Sequence, residues 1–266
     1  MRHVNRAKVY LVSKPSVDWA QIEAFLSDEG LPGVPQSIRA GKDDSPAIVE
    51  VAGRLCYMSF AKGRRDIVEF VTNLLSSKDG SVFEHVNYGF VATGISRSLT
   101  HELVRHRAGF AYSQRSQRYV DEKDSSYVIP PALDRDDPRL KKAKAIFAAS
   151  TERASADYAA LVEALDEALP ATLFTNPRDQ RKAVRQAARA VLPNATETKL
   201  FVTANVRAWR HFIEMRGASF ADWEIRAFAL QVLELLQKEA PLFFGDFTVE
   251  TLPDGTRTAT PKYSKV

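Results

Sequence analysis

Residues 105–119, RHRAGFAYSQRSQRY, carry four arginines, a histidine and two serines in fifteen positions, with Phe110, Ala111 and Tyr112 the only sizeable apolar break. Fixed positive charge at that density needs water or anions, and a solvated basic turn is its commonest setting. The same donors also suit a phosphate and the edge of a base, because a guanidinium grips an oxyanion as a charge-assisted fork. Ser113, Gln114, Ser116 and Arg118 stand in near alternation, which in an extended backbone aims all but Ser113 to one side. A second basic group follows at 181–216. Arg181, Arg185 and Arg189 share a helical face, and Arg189 sits among Ala188, Ala190, Val191 and Leu192, so that its burial demands an anionic partner.

The elements that must position these residues are legible around them. Residues 83–95 alternate as a half-buried strand with Val86, Tyr88, Phe90 and Ala92 on one side and Glu84 and His85 at its start. Ser96 caps a helix through Leu99, Leu103 and Val104 into Arg105, His106 and Arg107, whose spacing from Glu102 places Glu102, Arg105 and His106 on one face. Upstream, 7–12 reads as a strand and 19–27 as a helix, with a break at 30–35. Ser45 and Pro46 read as the cap and first turn of a helix ending near Cys56, and 65–77 as a helix stopped by Gly80. Downstream, 127–129 is a short extended segment, 141–169 a long alanine-rich helix, and 177–192 a helix begun by Pro177. Residues 200–204 read as a strand and 205–215 as a helix with Arg207, His211 and Arg216 near one side. Residues 220–239 form the last long helix, and 245–266 a polar tail with weak strand signals and a flexible end.

The chain has 266 residues, 45% of them hydrophobic, enough for one substantial core, and it reads as a single domain over 1–266 with 248–266 as the tail. A formal net charge of +4 is mildly basic, which argues against bulk nucleic-acid binding. The single cysteine, Cys56, excludes an intramolecular disulfide framework. It reads as a packed small apolar residue, and a reducing cytoplasm is the expected compartment. No stretch reaches the ~18 apolar residues of a membrane span. The histidines at 85, 101, 106 and 211 fall into no metal-ligating pattern, so the expectation is metal-free. There is no glycine-rich phosphate loop of the dinucleotide or P-loop type, so any nucleotide must be held by side chains.

RHR at 105–107 followed by SQRSQRY at 113–119 resembles the signature of the flavin-dependent thymidylate synthases (ThyX). SVFEH at 81–85, GISRSLTHEL at 94–103, ARAVLP at 188–193 and NVRAWRHFIEMR at 205–216 resemble further blocks of that family in the same order, so the resemblance covers about 54–247. It implies an α+β fold with a central, mainly antiparallel sheet flanked by long helices, assembled as a homotetramer with active sites at subunit interfaces. It also implies reductive C5-methylation of dUMP to dTMP, with methylenetetrahydrofolate as carbon donor and FAD reduced by NADPH. By the same resemblance, Ser81, Glu84, Arg105, His106, Arg107, Asn205, Arg207 and His211 match flavin-holding positions. Arg97, Glu102, Gln114, Ser116, Arg118, Arg189 and Arg216 match positions around the pyrimidine nucleotide.

Within that frame Arg118 and Arg189 suit a monophosphate, and Arg216 suits negative charge developing on the uracil carbonyl. Ser116 stands where the motif places a nucleophile, yet no histidine and acid accompany it at an obvious spacing, which assigns it to nucleotide binding and orientation. Two departures stand out. Eight residues separate Arg107 from Ser116 where the family has seven, with the extra residue placed in 108–111 at Gly109. Asp79 occupies a position where many members carry a histidine that helps hold the folate. These leave a second reading, C5-methylation of another pyrimidine nucleotide such as UMP in modified-nucleoside biosynthesis, and a remote third, a non-catalytic nucleic-acid-binding protein.

Overall fold

The computed structural model describes residues 2–33, 44–60 and 66–266. In chain order it forms β1 (Arg2–Val4), β2 (Lys8–Ser13), α1 (Trp19–Asp28), α2 (Ser45–Leu55), α3 (Ile67–Ser77), a 3-10 turn (Gly80–His85), β3 (Asn87–Ser96), α4 (Arg97–Leu103), β4 (Phe110–Gln114) and β5 (Ser126–Val128). Then follow α5 (Lys141–Ala168), α6 (Pro177–Ala188), β6 (Glu197–Asn205), α7 (Val206–Arg216), α8 (Trp223–Glu239), α9 (Pro241–Phe244), β7 (Phe247–Thr251) and β8 (Arg257–Pro261). The expected starts at Arg65 and the end of the break at Pro35 lie outside the described residues.

Four strands make one sheet in the order β2-β3-β6-β4. β3 and β6 run antiparallel, since Val206 N–H donates to the Val86 carbonyl at one end (2.9 Å) and Arg97 N–H to the Thr196 carbonyl at the other (3.2 Å). β6 and β4 do the same through Asn205 N–H to Gly109 O (3.3 Å) and Arg115 N–H to Lys199 O (3.0 Å). The alternation in β3 is real: Val86, Tyr88, Phe90 and Ala92 are all fully buried. With these strands and the long helices the chain is α+β.

The residues divide into two compact units. The first comprises Met1–Lys8, Ala92–Arg105 and Ser113–Phe201. In it β1 pairs in parallel with β5, Tyr127 and Tyr158 are buried, and His3 Nε2 lies 3.1 Å from the Thr151 hydroxyl of α5. The second comprises Val9–Val91, His106–Tyr112 and Val202–Val266. Its core is aromatic: Phe83, Tyr88, Phe90, Trp209, Phe212, Phe228, Phe243 and Phe244 are all 0% exposed. Each such side chain contributes about 1.5–3 kcal/mol by leaving water. Trp209 satisfies its indole N–H on the Tyr88 carbonyl at 3.0 Å.

Several local expectations change. α2 is capped at Asp44, and Ser45 is its first residue, buried with its hydroxyl 2.5 Å from that of Tyr88. The last long helix starts at Trp223, because the Asp222 side chain takes the N–H of Glu224 (2.9 Å) and Ile225 (3.4 Å). Cys56 is exposed at the C-cap of α2 instead of packed, its thiol donating to the Ala52 carbonyl at 3.4 Å. The tail is no loose extension: β7 and β8 form an antiparallel hairpin from Phe247 paired with Pro261 to Thr251 paired with Arg257. Buried Arg210 anchors it with a fork on Asp246 (2.6 and 2.9 Å) and a bond to the Tyr263 carbonyl (2.8 Å). No helix among the described residues is long and apolar enough to cross a membrane.

Candidate active site

In the second unit the site is built where α4 has already ended. α4 stops at Leu103, so Arg105, His106 and Arg107 occupy a turn and the helical face expected for Glu102, Arg105 and His106 does not exist. Gly109 makes the turn. Its φ is +73°, and a Cβ there would stand 2.6 Å from Asn205 Nδ2 and 3.0 Å from Ala208 Cβ, so only glycine fits both the conformation and the space. Asn205 in turn caps α7, its side-chain oxygen accepting the Ala208 N–H at 2.8 Å. One close approach thereby holds the 106–112 segment against the start of α7.

The His106 ring lies among those of Phe212 (5.2 Å), His211 (5.8 Å) and Phe110 (6.0 Å). Arg216 Nε donates to its Nε2 at 3.0 Å, which requires a neutral ring with its proton on Nδ1. Burial, then the charge of Arg216 and of His211, lower the His106 pKa to about 4. Tyr112 donates its hydroxyl to the His106 carbonyl at 2.5 Å and stacks on Phe110 at 5.7 Å, and burial pushes its pKa up. Arg207 reaches the 3-10 turn, pairing with Glu84 at 2.6 Å and with the Val266 carbonyl at 3.3 Å. Ser81 donates to Asp79 at 3.4 Å. Arg107 and His211 are exposed, and the Arg107 guanidinium has no partner among the described residues.

The first unit handles its charges differently. β4 ends at Gln114 and a turn follows, in which the Ser116 hydroxyl accepts the Arg118 N–H (3.2 Å) and the Ser116 carbonyl accepts the Val120 N–H (3.0 Å). Ser116 and Arg118 therefore share a turn, not one side of a strand. Gln114 donates to Thr100 and Thr198, both at 3.4 Å. Arg97, half-buried, sends Nη2 to the Arg115 carbonyl at 3.0 Å, while its Nε is buried with no partner among the described residues. Its pKa is lowered by burial first and also by the charges of Arg115 and Arg189, against the opposing pull of Glu122. Arg189 is half-buried as expected, yet it has no acidic partner among the described residues, and its nearest charge effect is on another arginine. Arg185 on the same helix is committed to the Tyr119 carbonyl (2.7 Å) and Asp121 (3.3 Å), whereas Arg181 is exposed. Arg105 and Arg118 are exposed, with guanidiniums that have no partner among the described residues, and Glu102 is half-buried.

The sequence-predicted nucleotide residues Arg97, Glu102, Gln114, Ser116, Arg118 and Arg189 thus all fall in the first unit, and Arg216 does not. The flavin set Ser81, Glu84, His106, Arg107, Asn205, Arg207 and His211 falls in the second, and Arg105 does not. Sequence reasoning missed Arg115, Glu122 and Glu197, an ion cluster that no local spacing announces because Glu197 lies 82 residues from Arg115. It also missed the Tyr112 hydroxyl, whose presence beside RHR was the available signal.

Fold and geometry define the class: an α+β protein with guanidiniums uncommitted among the described residues and a caged neutral histidine. A family model, thymidylate synthase complementing protein (Thy1), matches residues 39–242. The chain is 48% identical over 235 residues to the flavin-dependent thymidylate synthase of Mycobacterium avium (strain 104), covering 86% of this chain and 89% of that protein. It is 43% identical over 256 residues to that of Mycobacteroides abscessus, covering 95% and 92%. Against that of Mycobacterium tuberculosis (strain H37Rv) it is 47% identical over 234 residues, covering 86% and 89%. The chain belongs to the flavin-dependent thymidylate synthase family.

Proposed function

We propose that this chain makes dTMP from dUMP, with methylenetetrahydrofolate as one-carbon donor, FAD as the bound cofactor and NADPH as its reductant. The observation that carries the nucleotide half is the trio Arg97, Arg189 and Arg118, which present guanidinium charge with no carboxylate bonded to it among the described residues. A half-buried arginine without an acid is stabilised by a bound anion, and a fork suits a monophosphate. Gln114 and the Ser116 hydroxyl border the same segment and supply hydrogen bonds for a base or sugar.

The second unit fits a flavin. With no glycine phosphate loop in the chain, the exposed guanidinium of Arg107 and the amide and ring donors of Asn205 and His211 are of the type that holds a diphosphate and a heterocycle. Arg105 completes that set in this reading, with Ser81, Glu84, His106 and Arg207. Bound FAD, when reduced, supplies the reducing equivalents that turn the transferred carbon into a methyl group. Arg216 is held by the neutral imidazole of His106, and in this reading its guanidinium charge stabilises the electron-rich uracil during attack from C5. Ser116 binds and orients the nucleotide in this reading, since its hydroxyl already accepts the Arg118 N–H and no histidine among the described residues is bonded to it. The working assembly in this reading is a homotetramer with shared active sites.

Purified protein is expected to show flavin absorbance and to form dTMP from dUMP, methylenetetrahydrofolate and NADPH. Absence of both would sink the reading. Running UMP beside dUMP separates it from C5-methylation of a ribonucleotide, because a site shaped against a 2′-hydroxyl discriminates between the two.

A further inference from the structure

We propose that Arg115 is a positioning residue for the nucleotide side, holding the 114–118 segment and aiming Arg97 while binding no ligand itself; this rests on the assignment of Arg97, Gln114, Ser116 and Arg118 to the nucleotide. Arg115 lies in sequence between two of those residues, and its own side chain turns away into the protein, only 18% exposed. Nη2 donates to Glu122 Oε2 at 2.8 Å, to the Glu197 carbonyl at 2.9 Å and to the Ser125 hydroxyl at 3.4 Å, and Nη1 lies 3.7 Å from Glu197 Oε2. Its N–H donates to the Lys199 carbonyl at 3.0 Å. Its carbonyl accepts Arg97 Nη2, also at 3.0 Å. One residue is thus fixed through side chain, N–H and C=O at once, and the last of these sets the direction of a guanidinium assigned to the substrate.

The partners are themselves held. Glu122 takes the Ser125 hydroxyl on Oε2, and its N–H donates to the Tyr158 hydroxyl at 3.2 Å. The Glu197 carboxylate accepts the Gly94 N–H at 3.0 Å. Two carboxylates on Arg115 leave it no charge to offer an anion, whereas Arg97 and Arg189 keep theirs. Glu122 also acts on Arg97, favouring its charged form. The ion cluster therefore lets cations stand together where burial and mutual repulsion oppose them. Removing its central guanidinium frees the turn and the Arg97 fork while leaving the ligand-facing groups in place.

The test uses the full-length flavin-loaded protein and the variants Arg115→Met, Arg115→Lys and Glu122→Gln, measuring dUMP affinity by titration calorimetry, the KM for each substrate, kcat, flavin content and melting temperature. The expected result for Arg115→Met is a dUMP Kd and KM raised about tenfold or more, the loss that one misplaced charge-assisted bond brings. The KM for methylenetetrahydrofolate and the flavin content stay near wild type. Arg115→Lys, which keeps the charge without the fork, and Glu122→Gln fall between, and they carry the test if Arg115→Met does not fold. Unchanged dUMP affinity in the variants, beside a wild type that binds dUMP, overturns the role of Arg115 alone. A uniform rise in both KM values with a lower melting temperature also overturns it, because that marks general loosening. A wild type that binds no dUMP removes the nucleotide assignment and this inference with it.

Discussion

Two arginines of this chain, one in each unit, are fixed by partners of different kinds. In the first, Arg115 is met by the carboxylates of Glu122 and Glu197, and its neighbours Arg97 and Arg189 are left without an acid. In the second, Arg216 donates to a neutral imidazole inside an aromatic cage, while Arg54, Arg207 and Arg210 are paired with Glu50, Glu84 and Asp246. An ion pair cancels the field of the arginine it binds; a neutral acceptor fixes the arginine and leaves the field intact. Committed arginines in both units should therefore matter to stability, and uncommitted ones to ligands.

The largest effect is expected where a committed, buried arginine loses its acid. Asp246→Ala strands the Arg210 guanidinium, 3% exposed, and should cost about 3–5 kcal/mol in chemical denaturation. A loss below about 1 kcal/mol would show that Arg210 is satisfied by the Phe243 and Tyr263 carbonyls alone, and the division into committed and uncommitted arginines would fail.

Arg189→Ala gives the opposite pattern. With no acidic partner to strand, the change should leave stability as it was or raise it, since it relieves Arg97 of a repelling charge. Nucleotide affinity should fall about ten- to hundredfold, measured by calorimetry with dUMP, because a charge-assisted fork to a phosphate is lost. Loss of stability with unchanged affinity would make Arg189 structural. Smaller still is Tyr112→Phe, which deletes one hydrogen bond to the His106 carbonyl. About 1 kcal/mol in the melting equilibrium is expected, with a shift in flavin absorbance reporting the relaxed turn.

Much of the frame was legible in the sequence because it rests on local rules. The period-2 burial of 86–92, the Ser96 cap and the long helix at 141–168 are local, and they appear as read. The expectation that a glycine at 109 can take up unusual local backbone has a physical counterpart in its left-handed φ and the close approach of Asn205. What failed was extrapolation of a period past its end. The helix from Ser96 was carried into 105–107, and an extended backbone was supposed for the loop at 113–118, yet the helix stops at Leu103 and Ser116 to Val120 form a turn whose hydrogen bonds are set by Ser116. The Arg115 cluster was invisible for another reason: its partners come from 122 and 197, and pairing at that separation is decided by the sheet register of β4 against β6.

The finest probe of the contrast is the protonation of His106 itself. Folding holds this imidazole neutral with a pKa near 4, whereas an unfolded histidine titrates near 6.5. The unfolded chain therefore binds more protons between those values, and stability should decline as pH falls from about 6.5 towards about 4, with no contribution from this group above that window. The decline is modest because the ring is only half-buried and partly solvated. It should be followed by the imidazole carbon shifts in NMR, which for His106 stay those of a neutral Nδ1–H ring down to about pH 4. If His106 instead titrates near 6.5, as a free histidine does, Arg216 is not donating to a lone pair on His106 in solution.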